Sequence, residues 1–294
     1  MFDAIAFAGG GNRCYWQGGF WDAAASVLDF APKLVVGASA GAWQAAYSLL
    51  DLYDQVRPTV IGACGPHRTN FDWRGRTTPK SLFPVAPLFH ELVSMTLGDA
   101  EFARLKLIVD LRIAISRPPR WLPAQAAPWV ALTGYQLEKR LFHPVHPRFG
   151  RMLGFEPEFV PVRAMRSRTE LVDAIMASAT VPPIMPILTI GGRIALDGGF
   201  VDNVPVEPLV PVEQAGGRTL VLLTRCYRSI PHVPGRTYVQ PSEPIPVKQF
   251  DITDPAGIRA AFELGRRDGA AFAAAWRRQI SASGARRSAI DPGA

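Results

Sequence analysis

Short, wholly apolar runs alternate along the chain with stretches in which apolar residues recur every three or four positions. Residues 4–8 are apolar and end in Gly9-Gly10-Gly11, after which Tyr15, Trp16, Phe20, Ala23, Ala24 and Val27 recur at helical spacing. That pattern predicts strand, glycine turn and helix. A second such unit follows directly, with an apolar, β-branched run at 33–36, a small-residue turn at 37–41 and a helix at 42–51. Strands that are apolar on both faces and alternate with helices imply a mainly parallel sheet covered on both sides.

Beyond this point the chain is irregular at 57–81, predicts a helix at 85–96 and then a strand at 107–116. Residues 117–154 are rich in Pro, Trp and Arg, a composition and length that suit a cap or lid insertion. A strand at 158–163, a helix at 168–179, a hairpin over 187–196 turning at Gly191-Gly192, a buried strand at 219–224 and an amphipathic helix at 258–279 complete the pattern. A single domain over 1–280 accounts for these elements, with 281–294 expected as a polar, fraying tail.

With 48% hydrophobic and 19% charged residues, the 294-residue chain has the material for a sizeable core, which excludes a mainly disordered protein. No apolar run approaches the roughly 18 residues of a spanning helix, and the N-terminus lacks a basic patch before an apolar stretch. The net charge of +7 could favour anionic surfaces such as phospholipid headgroups or nucleic acid, although arginine so outnumbers lysine that a compositional bias is the better explanation of the excess. Cys14, Cys64 and Cys226 form neither a disulfide framework nor metal-ligand spacing. The expectation is a cytoplasmic protein, peripheral at membranes, needing no metal or cofactor and binding no nucleic acid; export without a Sec-type signal and the oligomeric state stay open.

The chemistry concentrates in turns. Gly37-Ala38-Ser39-Ala40-Gly41 is a G-x-S-x-G sequence between a predicted strand and a predicted helix. Such a sharp reversal strains its central residue, and only glycine or alanine neighbours leave room for it. Ser39 is thereby presented at a helix N-terminus, where free amides favour developing negative charge. Gly9-Gly10-Gly11-Asn12-Arg13 opens at the same sheet edge, and its consecutive glycines let backbone N–H groups converge on an anion, either a phosphate or an oxyanion. Cys14 occupies the third glycine position of a dinucleotide fingerprint and no G-K-[ST] follows, which argues against both nucleotide motifs. A serine also needs a base. Of the five histidines, only His232 follows a strong acidic candidate, Asp197 in Leu196-Asp197-Gly198-Gly199-Phe200, giving the order serine, acid, histidine.

Together the three motifs resemble the patatin-like phospholipase family, whose pattern is a glycine-rich oxyanion loop ending in a basic residue, then G-x-S-x-G, then a distant D-G-[GA]. The segments Ala177-Ser178-Ala179-Thr180-Val181-Pro182, Asp202-Asn203-Val204-Pro205 and Glu263-Leu264-Gly265 are similar to the family as well. The resemblance implies a three-layer α/β/α fold and a Ser-Asp dyad without histidine that hydrolyses acyl esters of lipids or phospholipids. Carried over by position, Ser39 is the nucleophile and Asp197 the general base. Gly9, Gly10 and Gly11 with Arg13 form the oxyanion hole, and Gly37, Gly41, Gly198 and Gly199 support the turns. Cys14 stands where the family usually has glycine and reads as packing.

Two alternatives remain at this level: a Ser39-Asp197-His232 triad esterase, and a catalytically silent lipid-binding or scaffold protein of the same fold. In the 117–154 segment, Trp121, Trp129, Phe142 and Phe149, interleaved with Arg117, Arg120, Lys139, Arg140, Arg148 and Arg151, suit a lipid–water interface or equally a packed cap.

Overall fold

The computed structural model describes residues 2–28, 30–73, 82–123 and 125–290. The first two units are β1 (Ala4–Phe7), a 3-10 turn (Gly11–Cys14) and α1 (Tyr15–Leu28), then β2 (Leu34–Ala38) and α2 (Ala40–Leu49). Next come α3 (Tyr53–Cys64), α4 (Val85–Thr96), α5 (Asp99–Ile108) and β3 (Asp110–Arg117). The Pro/Trp/Arg-rich segment contains α6 (Ala127–Leu141) and α7 (Phe149–Met152). It is followed by β4 (Glu156–Pro161), α8 (Arg168–Ser178), β5 (Leu188–Ile190), β6 (Arg193–Asp197), α9 (Gly199–Asp202) and α10 (Val210–Gln214). The chain continues through β7 (Thr219–Leu222), β8 (Arg236–Val239) and α11 (Pro255–Ile290).

Several boundaries differ from the sequence pattern for physical reasons. The stretch expected to be irregular from 57 begins as α3, whose Tyr53, Val56, Val60 and Cys64 are buried at helical spacing; residues 74–81 of that stretch lie outside the described residues. The strand expected from 107 starts at Asp110, because Leu107 and Ile108 are the exposed last residues of α5. The terminal helix extends to Ile290, so most of the expected tail continues it, and 291–294 lie outside the described residues.

The sheet has the order β5-β6-β3-β2-β1-β7-β8, with β4 also on β3. The four central pairings, β1 with β2, β1 with β7, β2 with β3 and β7 with β8, are parallel, and those of β4, β5 and β6 are antiparallel. The protein is thus mixed α/β, with a mostly parallel central sheet flanked by helices. Alternate strand residues feed two separate apolar clusters. Ile5, Phe7, Val35, Leu220 and Leu222 pack with helical residues such as Trp16, Trp43 and Phe262, while Ala4, Ala6, Val36 and Val221 pack with Val145, Val204 and Leu209. Gly265 and Gly269 of α11 lie directly on α1, since a Cβ at either would collide with the Trp16 or Phe20 carbonyl.

One detail of register builds the site. β2 leaves β3 at the pair Ala38↔Ala114, and the next residue of β3, Ile115, pairs with Asp197 of β6. β4 occupies the other edge of β3 there, through Ile115↔Glu158, so β6 takes the edge that β2 vacates. The carboxylate therefore arrives beside the residue that follows Ala38, which is Ser39.

Candidate active site

Ser39 has φ 55° and ψ −137°, a conformation that L-residues rarely adopt, at the junction of β2 and α2. Its neighbours explain the glycines of the motif. A Cβ on Gly37 would strike the Ala42 backbone, and one on Gly41 would stand 2.5 Å from the Ala8 carbonyl oxygen. The first turn of α2 thus lies against the end of β1. The strained position is held by Ser178, whose Oγ accepts a hydrogen bond from the Ser39 N–H at 2.7 Å and donates to the Ala114 carbonyl at 2.6 Å. Ser178→Ala would leave a buried N–H without a partner. We expect it to lower stability by about 1–3 kcal/mol in urea unfolding and to reduce kcat more than it raises KM.

Ser39 and Asp197 are 5% and 6% exposed, so the pair is nearly closed to water. Burial pushes the Asp197 carboxyl up to about 7, opposed by hydrogen bonding from the Ser39 side chain and the Gly199 N–H. The Gly199 N–H donates to Oδ1 at 2.7 Å, and the Asp197 and Gly198 N–H groups donate to the Thr180 and Ser178 carbonyls. Gly198 lies against the Ala114 carbonyl and Gly199 against Asn203 and Asp197, where side chains would not fit.

The glycine loop meets the same corner: a Cβ on Gly9 would lie 3.1 Å from Ser39 Cβ. Gly9 itself is committed to the frame. Its N–H donates to the Asn203 carbonyl, and its own carbonyl accepts from Asn203 Nδ2 at 2.8 Å and Thr224 Oγ1 at 2.6 Å. Its amide is therefore engaged within the fold, which departs from the expectation that it is free to receive an oxyanion. Arg13 Nη2 donates to Gln249 Oε1 at 2.8 Å, fixing the loop to the segment before α11. Cys14 is fully buried, its Sγ 3.5 Å from the Ala8 carbonyl, and burial pushes its thiol far above the ordinary range, so it packs beneath the loop as a thiol.

His232 is exposed in the connection between β7 and β8, whereas the groups that act on the Asp197 carboxyl are the Gly199 N–H, which donates to it, and the Ser39 side chain, which lowers its pKa. His146 is engaged elsewhere, with Nδ1 2.8 Å from Asp202 and Nε2 2.8 Å from the Tyr238 hydroxyl. Among the described residues, no group of three or more His, Cys, Asp or Glu side chains is gathered as a metal site. Ser39 opens on a narrow slot of about 40 Å³ whose apolar walls include Trp43, Val85, Phe89, Met185 and Phe250. That is roughly the room of one water molecule, so a long acyl chain enters only if these side chains move. Ser178, Asn203 and Thr224 had no assigned role from the sequence; they act through contacts between distant segments.

In the 117–154 segment, Trp121 and Phe142 are 74% and 65% exposed, and Trp129 lines an apolar hollow of about 570 Å³ with Val130, Leu137, Phe149 and Met152. Arg117 is no surface cation: it is buried, bidentate to Glu158 at 2.7 and 2.8 Å, and donates to the carbonyls of Arg193 and Ile194. Arg151 pairs with Glu207 at 2.5 Å. No helix among the described residues is long and apolar enough to cross a membrane.

No curated protein matches the chain significantly. A family model, Patatin-like phospholipase, matches residues 5–210. Since that span takes in well over half of the 294 residues and runs from the strand before the glycine loop to beyond Asp197, the chain belongs to the patatin-like phospholipase family.

Proposed function

We propose that the protein is a serine acyl hydrolase that cleaves fatty-acyl ester bonds of lipids, phospholipids among them, through a Ser39-Asp197 dyad in a three-layer α/β/α domain. The observation that carries this reading is a strained, buried serine at the strand junction beside a buried carboxylate that burial pushes up to about 7 against the lowering influence of that serine. An ordinary aspartate is a poor base for a hydroxyl, while one titrating near the working pH is well matched to proton transfer. Ionised Asp197 takes the Ser39 proton as Oγ attacks the ester carbonyl, and the oxyanion is received by the Gly10 and Gly11 amides. Collapse of the tetrahedral intermediate breaks the ester C–O bond, and the proton on Asp197 passes to the leaving alcohol. Water then attacks the acyl-enzyme with Asp197 again as base, releasing the fatty acid and restoring Ser39.

The substrate side of the proposal rests on the apolar slot at Ser39 and on the exposed aromatic face of α6 and α7. With Arg120, Arg140 and Arg148 around it, that face suits a peripheral contact with a lipid surface, α6 and α7 forming a cap over the domain. The expected setting is cytoplasmic, peripheral at membranes.

A fluorophosphonate probe tests the nucleophile directly. Labelling of the wild type that disappears in Ser39→Ala is the expected result, and an unlabelled wild type would leave a silent lipid-binding protein as the better reading. His232→Ala is expected to retain full ester hydrolysis, measured as kcat/KM on a short-chain ester. A loss beyond about tenfold would restore the triad.

A further inference from the structure

Across the glycine loop from the apolar slot lies a second cavity, of about 470 Å³, whose walls include Tyr135, His143, Asn203, Arg225, Tyr227 and Arg228. No Asp or Glu lines it. Arg225 Nη2 donates to the Tyr135 hydroxyl at 2.6 Å, while its buried Nε has no hydrogen-bond partner. Arg13 feels its charge: the Arg13 guanidinium is pushed below its ordinary value by burial first and by Arg225 second. Among the described residues, neither arginine has a carboxylate within ion-pair distance. Burial lowers Arg225, but Tyr135 and Tyr227 raise it by more, so it stays a firm cation on a cavity wall that carries no acid, and such a wall calls for an anion from outside.

Topology gives a second, independent reason. β1 is paired with β2 on one side and β7 on the other, so the sheet order reverses at β1, and open α/β sheets bind ligands beyond the carboxyl ends of strands at such a switch point. Gly9 and Arg225 follow those ends by two and three residues, Gly9 after Phe7 and Arg225 after Leu222. Asn203 is the shared wall: it lines the cavity and its Nδ2 donates to the Gly9 carbonyl.

We infer that this cavity is a subsite for a phosphate-bearing headgroup, held by Arg225 with Tyr135 and Arg228, while the acyl ester of the same molecule lies at Ser39. The inference rests on the hydrolase reading above and names its substrate class: anionic glycerophospholipid in preference to neutral glyceride. Arg225 lines the cavity with a guanidinium that the Tyr135 hydroxyl orients through Nη2, and a planar guanidinium held in one orientation suits a phosphate edge.

The test compares phosphatidic acid with diacylglycerol in mixed micelles. Arg225→Gln is expected to lower the ratio of the two kcat/KM values by about 10- to 100-fold, the loss usual for a charge-assisted pair, with Arg225→Lys intermediate. An unchanged ratio, or equal falls on both lipids, overturns the subsite. If Arg225→Gln does not fold, Tyr135→Phe removes only the hydroxyl that aims the guanidinium and is expected to lower the same ratio several-fold.

A calorimetric arm needs no turnover. Ser39→Ala protein is titrated with glycerol 3-phosphate and with inorganic phosphate, and binding that vanishes in the Ser39→Ala/Arg225→Gln double variant supports the site. Absence of binding, or binding indifferent to Arg225, overturns it. Inorganic phosphate should inhibit hydrolysis of phosphatidic acid more than that of diacylglycerol; equal inhibition of both would mark a site for free phosphate and overturn the headgroup assignment. If the hydrolase reading fails, no variant cleaves either lipid and the titrations alone decide.

Discussion

Asp197→Asn is expected to lower kcat/KM for ester hydrolysis by about 10⁴-fold and, at pH 8, to raise the melting temperature. The first effect follows from removing the group proposed to accept the Ser39 proton. The second follows from the same burial. Asp197 titrates near 3.8 in the unfolded chain and about 7 in the fold, so between those values the folded protein holds a proton that the unfolded chain has released. Stability therefore falls as pH rises from about 4 to 7 and stays reduced above it, by up to about 4 kcal/mol if the whole shift is expressed. Asparagine keeps an acceptor for the Gly199 N–H but carries no charge to desolvate, so the variant escapes this penalty above pH 7. Below pH 4 wild type and variant should melt together. The wild-type kcat/KM should rise with pH through about 7 as the base ionises. Thermal melts at pH 4 and 8, with a pH–rate profile of the wild type, check both halves. A variant less stable than wild type at pH 8, or a profile flat from pH 5 to 8, would show that the carboxyl is not a neutralised buried base.

The parts of this arrangement that are legible in the sequence are those written in local pattern. β1, β2 and β7 are short apolar runs because both sheet faces are covered, and the reversals after β1 and β2 announce themselves because only small residues fit them. β8 escapes notice because its Arg-Thr-Tyr-Val sequence is polar at one end, where Arg236 is bidentate to Glu213 at 2.7 Å through Nε and Nη2. α6 is masked by Pro128 and Trp129 in its first turn, a position where proline is tolerated. The commitment of the Gly9 amide could not be read at all, since it depends on Asn203, 194 residues away, and the hold on Ser39 depends on Ser178, 139 residues away. The same is true of the proton affinity of Asp197. The letters Asp-Gly-Gly describe a turn, and only the handover from β2 to β6 along β3 turns it into a buried carboxylate beside a serine.

Gly11→Ala is expected to reduce kcat by about 10²- to 10³-fold, the loss typical of a displaced oxyanion donor. Gly11 has φ +56°, and a Cβ there would collide with the Gln249 carbonyl oxygen. That oxygen already accepts the Asn12 N–H at 2.8 Å, while Arg13 holds the Gln249 side chain and Asn12 Nδ2 holds the Asp251 carbonyl. The segment around Gln249 is thus the buttress of the loop, and an added methyl separates the two and swings the Gly10 and Gly11 amides away from the position proposed for the ester carbonyl oxygen. Backbone strain alone would not do this, and Gly191→Ala provides the comparison. Gly191 has φ +59° with nothing within 4 Å of an added Cβ, so its variant bears about 1 kcal/mol of left-handed strain and no collision. Gly191→Ala should melt slightly lower and hydrolyse ester at the wild-type rate, whereas Gly11→Ala should lose kcat with little change in KM. Equal activity in the two variants would mean that the glycine loop does not stabilise the transition state, and the oxyanion would have to be received elsewhere.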